Sequence, residues 1–157
     1  MRALNDVNTN DSEAQRVAEL AARAMLSRDE VSSGLGMTLE QVGPGFARVR
    51  MRVRADMLNG HGMCHGGIVF ALADTAFAVA CNTHNAVTVA AAASIDFLSP
   101  GSLGDELGAE ARELWRSKRS GIYEVFVSNQ RGERIALFRG RSHCVGGQVV
   151  RAPAEQG

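Results

Sequence analysis

Residues 66–81 read GGIVFALADTAFAVAC, and no other segment constrains the architecture as strongly. The segment is apolar around the whole circumference of a helix, and Asp74 is its only charged residue. A helix that is apolar on every side is buried on every side. The remainder of the chain must therefore supply the material that encloses it.

Segments with a period of two supply that material. In residues 46–54 apolar side chains alternate with four arginines, as in an antiparallel strand with one buried face. The predicted strands cover residues 37–42, 46–54, 86–98, 106–117, 121–129 and 133–145. A strongly curved sheet is the only cover left for the buried helix. We therefore predict an α+β hotdog fold, in which a curved antiparallel sheet wraps around one long buried central helix, with an N-terminal helix.

The domain organisation is simple, because 157 residues suit one domain. The N-terminal helix is predicted to begin at Ser12, which fits a capping box with Gln15. Residues 1–10 are predicted to form a flexible tail, residues 11–147 the single hotdog domain, and residues 148–157 a C-terminal tail.

Composition limits the function. The 17 basic residues balance 17 acidic ones, so the formal net charge is zero. Because neither positive nor negative charge predominates, the chain is not expected to bind nucleic acid. The arginines of residues 46–54 are interpreted as a solvated outer face rather than a phosphate site. The longest uncharged apolar run, residues 66–73, is too short to cross a membrane. Three scattered cysteines and the absence of an apolar leader predict a reduced, cytoplasmic protein.

Asp74 is the first candidate for chemistry. A carboxylate inside a buried apolar helix loses hydration, so its pKa should lie above the ordinary value. Such a cost is tolerated mainly where the group is paired or used, and no basic residue lies on this helix. At this point two roles remain open: catalysis, and a structural role in which the backbone or Thr75 satisfies the carboxylate.

The second candidate is the start of the same helix, where Gly66 and Gly67 permit a close approach to the backbone. First-turn amides lack intrahelical acceptors, so the Gly67 N–H is a candidate oxyanion donor, with a plain helix start as the alternative. Gly67 and Asp74 share one helix face but lie roughly 10 Å apart along the axis, too far for one reacting centre. If both act, Asp74 comes from a second subunit.

Two other arrangements are weaker. His61, Cys64 and His65 precede the helix, and Cys81 and His84 follow it. A helix about 22 Å long separates the two groups, which argues against a zinc site. Cys64 beside His65 could supply a nucleophile and a base, although adjacent loop residues rarely align for that purpose. We expect no metal and no cofactor.

Five motifs occur in a fixed order: Asn59-Gly60-His61, Cys64-His65-Gly66-Gly67, LADTAFA at 72–78, IDFLSPG at 95–101 and LFRGRSH at 137–143. This set resembles the PaaI-type acyl-CoA thioesterases of phenylacetate degradation, within the hotdog superfamily. The resemblance covers roughly residues 33–147. Residues 89–93 depart from it, because some relatives carry a hydroxyl residue there that orients water.

The resemblance implies hydrolysis of phenylacetyl-CoA or ring-hydroxylated phenylacetyl-CoA to the free acid and coenzyme A. In that family a glycine amide, here Gly67, and an asparagine, here Asn59, polarise the carbonyl. The helix aspartate, here Asp74, is the general base or the nucleophile. The histidine, here His65, helps hold the site and the departing sulfur. Further substrate contacts are expected from His61, Gly66, Thr75, Lys118 and Arg139.

The partners follow from the same resemblance. The last two of those residues, Lys118 and Arg139, are expected to meet the CoA phosphates. The family also implies a homo-oligomer, a dimer or a tetramer of two dimers, with active sites at the subunit interface. Two other functions stay open: a non-catalytic acyl-CoA-binding module, and a hotdog hydratase or dehydratase. The latter needs a histidine near the helix aspartate, and residues 69–80 contain none.

Overall fold

The computed structural model describes residues 3–151. Its helices are α1 (Ala3–Leu26), α2 (Glu30–Gly34) and α3 (Gly66–Asn82). Its strands are β1 (Thr38–Gly43), β2 (Phe46–Arg52), β3 (Ala86–Phe97), β4 (Glu106–Arg116), β5 (Ser120–Ser128) and β6 (Arg134–Gln148). The predicted strands therefore exist, with ends that differ by up to three residues. Helix α2 was not predicted; Asp29 caps it by accepting a hydrogen bond from the Ser32 N–H at 2.9 Å.

The strands form one antiparallel sheet in the order β1-β2-β4-β5-β6-β3. Helix α3 packs against β2, β3, β4, β5 and β6, so the sheet curves around it. This is the predicted hotdog fold, and the prediction is confirmed. Strand β3 lies at one edge of the sheet, where β6 is its only neighbour among the described strands.

Phe77 of α3 lies at the centre of the core and is fully buried. Its ring centroid lies 5.4 Å from that of Tyr123 and 5.7 Å from that of Phe138. A Cβ atom added at Gly140 would lie 2.8 Å from the Phe77 ring. Strand β6 therefore needs glycine there so that the sheet can close onto α3.

One stripe of α3 is less buried than predicted. Gly67 is exposed, and Ala71, Asp74 and Ala78 on the same face are partly exposed. The expectation that one protomer buries the helix on every side is therefore wrong. The sheet covers one side of α3 and α1 packs against another, whereas this stripe of mostly small residues keeps part of its surface accessible.

The predicted chain ends also need correction. Helix α1 begins at Ala3, so residues 3–10 are helical rather than a flexible tail, and the capping box at Ser12 falls inside the helix. Gln15 instead donates to the Val42 carbonyl at 2.8 Å, which ties α1 to β1. Capping signals mark favourable starts, but a helix supported by packing can extend past them. Residues 1 and 2 lie outside the described residues.

At the other end, β6 continues to Gln148, and the side chain of Asn85 holds the next residues. The Val150 N–H donates to Asn85 Oδ1 at 2.8 Å, and Asn85 Nδ2 donates to the Val150 carbonyl at 3.0 Å. Residues 148–150 of the predicted tail are thus attached to the fold, and residues 152–157 lie outside the described residues.

The arginines of β2 lie on the outer face of the sheet and pair with glutamates. Arg48 contacts Glu110, and Arg50 Nη2 lies 2.6 Å from Glu40 Oε1. Because carboxylates already neutralise these cations, the face does not offer a row of free cations to phosphates, in line with the favoured interpretation. Within residues 3–151 no helix combines the length and the apolar character that a membrane span requires.

A partly buried polar cluster lies beside the C-terminal end of α3. The Tyr123 hydroxyl donates to Glu113 Oε2 at 2.7 Å, and His84 Nε2 lies 2.9 Å from the same oxygen. Burial, together with the hydrogen bond to Glu113, raises the pKa of Tyr123. Burial alone would raise the pKa of Glu113, but the hydrogen bonds from Tyr123 and His84 hold it below its ordinary value.

We expect Tyr123→Phe to destabilise the fold by about 1–3 kcal/mol at pH 7, because the ring stays and one hydrogen bond to a charged group is lost. Denaturant unfolding measures the change. A carboxylate with a lowered pKa contributes stability above its unfolded pKa and loses it as the pH falls through its folded pKa. The difference between wild type and variant should therefore shrink as the pH drops below 4.5, the ordinary value for Glu113. An unchanged unfolding midpoint at pH 7 would contradict this account.

Candidate active site

The amide groups at the start of α3 have different partners. His65 caps the helix, and its Nδ1 accepts a hydrogen bond from the Gly67 N–H at 2.9 Å. The Gly66 N–H has no hydrogen-bond acceptor among the described residues. The free donor at this helix end is therefore the amide of Gly66, whereas the sequence favoured Gly67.

Both glycines have side chains packed close to them. A Cβ atom at Gly66 would lie 3.0 Å from the ring of Phe97, and a Cβ atom at Gly67 would lie 3.1 Å from His65 Nδ1. The close approach predicted from the paired glycines is therefore made by two side chains of the same protomer.

The capping hydrogen bond determines which ring nitrogen of neutral His65 carries the proton. Because Nδ1 accepts the Gly67 N–H, the neutral imidazole carries its proton on Nε2. The His65 residue is exposed. Its Nε2–H is thus a donor that a bound molecule can reach.

Asn59 organises the loop before α3. Its Oδ1 accepts from the His61 N–H at 2.9 Å and the Met63 N–H at 3.2 Å. Its Nδ2 donates to no group in the described part of the chain. The side chain is therefore fixed through its oxygen while its NH₂ group stays free. His61 contributes its backbone amide to this turn.

Asn59 and Gly66 line one cleft, with a volume of about 380 Å³. The cleft lies between the start of α3 and the end of β3, where the described loop 98–105 returns to the sheet. The two residues that carry free donors, Asn59 through its NH₂ group and Gly66 through its N–H, thus line the same cleft. A pair of such donors can stabilise an oxygen that gains negative charge during a reaction.

Asp74 lies two turns further along α3. Burial raises the pKa of its carboxyl. The carboxylate makes no hydrogen bond or ion pair with any described residue. Thr75 does not satisfy it, because the Thr75 hydroxyl lies 3.1 Å from the Ser32 hydroxyl of α2. Thr75 therefore joins α2 to α3, and Asp74 is a desolvated carboxylate without a partner in its own described protomer.

The two predicted phosphate contacts lie elsewhere. Lys118 is exposed in the turn between β4 and β5. It lines a small pocket of about 30 Å³ with Cys81 and Cys144 and an open hollow of about 530 Å³ with Cys144 and Gly146. Arg139 is exposed on β6 and its Nε lies 3.4 Å from Glu124 Oε2. Neither residue lines the cleft beside Gly66 in the same protomer.

Cys64 and Cys81 lack the exposure and the lowered pKa that favour a nucleophilic thiolate. Burial raises the pKa of Cys64, and burial raises the pKa of Cys81 to about 12, so both thiols stay protonated at neutral pH. The Cys64 Sγ lies 3.9 Å from the His65 carbonyl oxygen, a contact with the backbone and not with the ring. Among the described residues no three His, Cys, Asp or Glu side chains are grouped to hold a metal ion.

Comparison with known proteins places this arrangement in a family. The model of the thioesterase superfamily matches residues 61–136. The acyl-coenzyme A thioesterase PaaI of Escherichia coli K12 is 48% identical over 129 residues, which span 82% of this chain and 92% of that protein. The structure of the E. coli PaaI protein from the phenylacetic acid degradation operon matches with a TM-score of 0.84 and 46% identity, over 85% of this chain and 97% of that one.

A more distant structure extends the comparison. A Streptococcus mutans protein solved with bound acetyl CoA matches with a TM-score of 0.69 and 25% identity, over 71% of this chain and 90% of that one. The strongest of these similarities spans nearly the whole length of the E. coli protein and includes the start of α3 and Asp74. The chain therefore belongs to the thioesterase superfamily as a PaaI-type member, and it is a thioester hydrolase.

Proposed function

We propose that the chain hydrolyses an acyl-CoA thioester, with phenylacetyl-CoA or ring-hydroxylated phenylacetyl-CoA as the substrate. The observation that carries this proposal is that one apolar cleft is lined by two residues with free donors, Asn59 with its Nδ2 and Gly66 with its N–H. The name of the E. coli relative, an acyl-coenzyme A thioesterase, supports the substrate class.

The two donors polarise the thioester carbonyl. The oxygen that becomes negative during attack accepts hydrogen bonds from the Gly66 N–H and Asn59 Nδ2. The dipole of α3 adds favourable potential at this helix end. The Nε2–H of His65 stabilises the departing CoA sulfur. Gly67 supports the reaction indirectly, because its amide orients the His65 ring.

Asp74 promotes the attack on the thioester carbonyl carbon in one of two ways. As a general base, it takes a proton from water while the water oxygen bonds to the carbonyl carbon. The C–S bond then breaks, and the sulfur leaves as a thiolate that takes up a proton. As a nucleophile, its carboxylate oxygen bonds to the carbonyl carbon and the C–S bond breaks, so CoA leaves as a thiolate that takes up a proton. The acyl group stays on Asp74 as an anhydride, which water then hydrolyses. Both routes give the free acid and coenzyme A. The raised pKa strengthens Asp74 as a base relative to an ordinary aspartate.

A second copy of the chain completes the site. Gly66 and Asp74 lie about 12 Å apart along one rigid helix, so a single carbonyl cannot reach both in one protomer. Strand β3 is an unpaired edge whose residues 89–94 are all exposed, among them four alanines. Pairing two β3 edges around a two-fold axis would bury that strand and the open stripe of α3.

The same two-fold pairing accounts for the position of Lys118. Strand β3 begins near this turn, since Thr88 pairs with Cys144 and the Cys144 N–H donates to the Arg119 carbonyl at 2.9 Å. Antiparallel pairing places the start of one β3 near the end of the other. Lys118 of one copy thus approaches the cleft of its partner, where it is suited to bind CoA phosphates. Arg139 is a weaker candidate because Glu124 already pairs with it.

The direct test is thiol release by the wild-type protein from phenylacetyl-CoA, with acetyl-CoA and crotonyl-CoA in parallel. We expect CoA release from phenylacetyl-CoA to be fastest, and no hydration of the crotonyl double bond. Tight binding of phenylacetyl-CoA without thiol release would favour the binding module. Loss of the enoyl absorbance of crotonyl-CoA without thiol release would favour the hydratase.

A further inference from the structure

The chemistry of the cleft beside Gly66 separates it from the rest of a CoA substrate. Its apolar lining includes Met63, Val69, Phe97, Leu98 and Ile135. Asn59 and Ser99 add polar groups, and none of the described lining residues is charged. Such a surface does not compensate phosphates, whereas it suits an uncharged organic group.

Phe97 is the aromatic residue of this lining, and it is placed beside the free amide. It is the last residue of β3 and shares the inward face of the strand with Ile95, which pairs with the buried Phe138. Its ring approaches Gly66 so closely that a Cβ atom there would lie 3.0 to 3.5 Å from three ring atoms. Yet 56% of the residue surface is exposed. One part of the ring therefore packs on the Gly66 backbone while the rest borders the cleft.

We propose that Phe97 is a specificity-determining residue, whose ring forms the wall of the acyl subsite. The inference rests on the proposed function. A carbonyl oxygen bound to the Gly66 N–H lies about 3 Å from that nitrogen, so the acyl group attached to it begins beside the backbone that the Phe97 ring approaches. An aromatic acyl group would pack edge-to-face or offset-stacked on Phe97. An acetyl group is too small to use that surface.

The substitution Phe97→Ala tests this role through selectivity. The expected result is a loss of about tenfold or more in kcat/KM for phenylacetyl-CoA and a change of less than about twofold for acetyl-CoA. Phe97→Leu, which keeps apolar volume without the ring, should lose part of the selectivity and guards against misfolding of the alanine variant. Leu103→Ala is the matched control, since Leu103 is 58% exposed but lies outside the cleft. Equal losses for both substrates, or an unchanged ratio, would overturn the proposal.

Binding measurements keep this proposal separate from the proposed reaction. In an Asp74→Asn background, calorimetry gives Kd for phenylacetyl-CoA and acetyl-CoA with and without Phe97→Ala. Selective weakening of phenylacetyl-CoA binding supports the acyl wall even if wild type releases no thiol. If the ratio of the Kd values for phenylacetyl-CoA and acetyl-CoA does not change, Phe97 does not determine specificity, even if the wild-type protein is a thioesterase.

A double substitution tests the contact with Gly66. Gly66→Ala alone should displace the Phe97 ring and lower kcat/KM for phenylacetyl-CoA. In the Phe97→Ala background the same change should cost less, because the ring that it displaces is absent. Strictly additive losses would show that Phe97 and Gly66 act independently, against the proposed wall.

Discussion

Replacing Asp74 with asparagine is expected to lower kcat for thiol release by about a hundredfold or more. The amide keeps the shape of the carboxylate, but it neither takes a proton from water at neutral pH nor attacks a carbonyl. Asp74 makes no hydrogen bond or ion pair with the described residues, so the substitution removes no such contact within the protomer. Asp11→Asn makes the same chemical change at an exposed position of α1 and should keep the wild-type kcat.

The same substitution should leave stability unchanged or raise it. Burial raises the pKa of Asp74, so the folded protein binds this proton more tightly than the unfolded chain does. The ionised group therefore opposes folding at high pH, and this penalty disappears as the pH falls through the raised pKa. Asparagine has no charge to bury and so avoids this penalty. The Tm of the variant should therefore exceed that of the wild type most near pH 8, and the difference should shrink in acid. Joint loss of kcat and Tm would instead assign Asp74 a structural role.

The architecture could be predicted because its signals are local. An all-round apolar helix and period-two strands appear in the order of residues, and α3 and the strands occur close to their predicted positions. The choice between Gly66 and Gly67 could not be predicted in this way. It depends on the direction of the His65 ring, which takes one amide and leaves the other free.

Longer-range placements were missed for related reasons. Glu113 follows Leu107, Ala109 and Ala111 at alternating positions of β4, and this alternation is the signal from which an inward-facing carboxylate could have been inferred. Its partners could not be predicted, since Tyr123 comes from β5 and His84 from the end of α3. Phe97 stood within a family motif, but its contact with Gly66 joins two segments that only the closed sheet brings together.

Mixing two inactive variants is expected to restore activity if each site combines two copies. Asn59→Asp keeps the oxygen that accepts the His61 and Met63 amides, so the loop should persist. The variant loses the Nδ2 donor and gains a charge that repels the oxyanion, at a cost of about a hundredfold or more in kcat. After subunit exchange with Asp74→Asn, half of the dimers are hybrids with one intact site of two. The mixture should thus reach about a quarter of wild-type activity.

Recovery of activity distinguishes a site shared between two copies from a site within one protomer, because Asp74 lies on one rigid helix and Asn59 lies in the loop that adjoins it. If Asp74 acted with the Asn59 of its own protomer, every active site in a hybrid dimer would still contain one substituted residue, and subunit exchange would restore no activity. Native mass spectrometry of size-labelled variants shows whether hybrid dimers form. An absence of recovered activity can then be separated from a failure of the subunits to exchange. Mixing Asp74→Asn with Asp74→Asn/Asn59→Asp is the matched control, because no combination of those chains contains an intact carboxylate. Activity that appears only in the first mixture would show that Asp74 of one copy acts together with Asn59 of another.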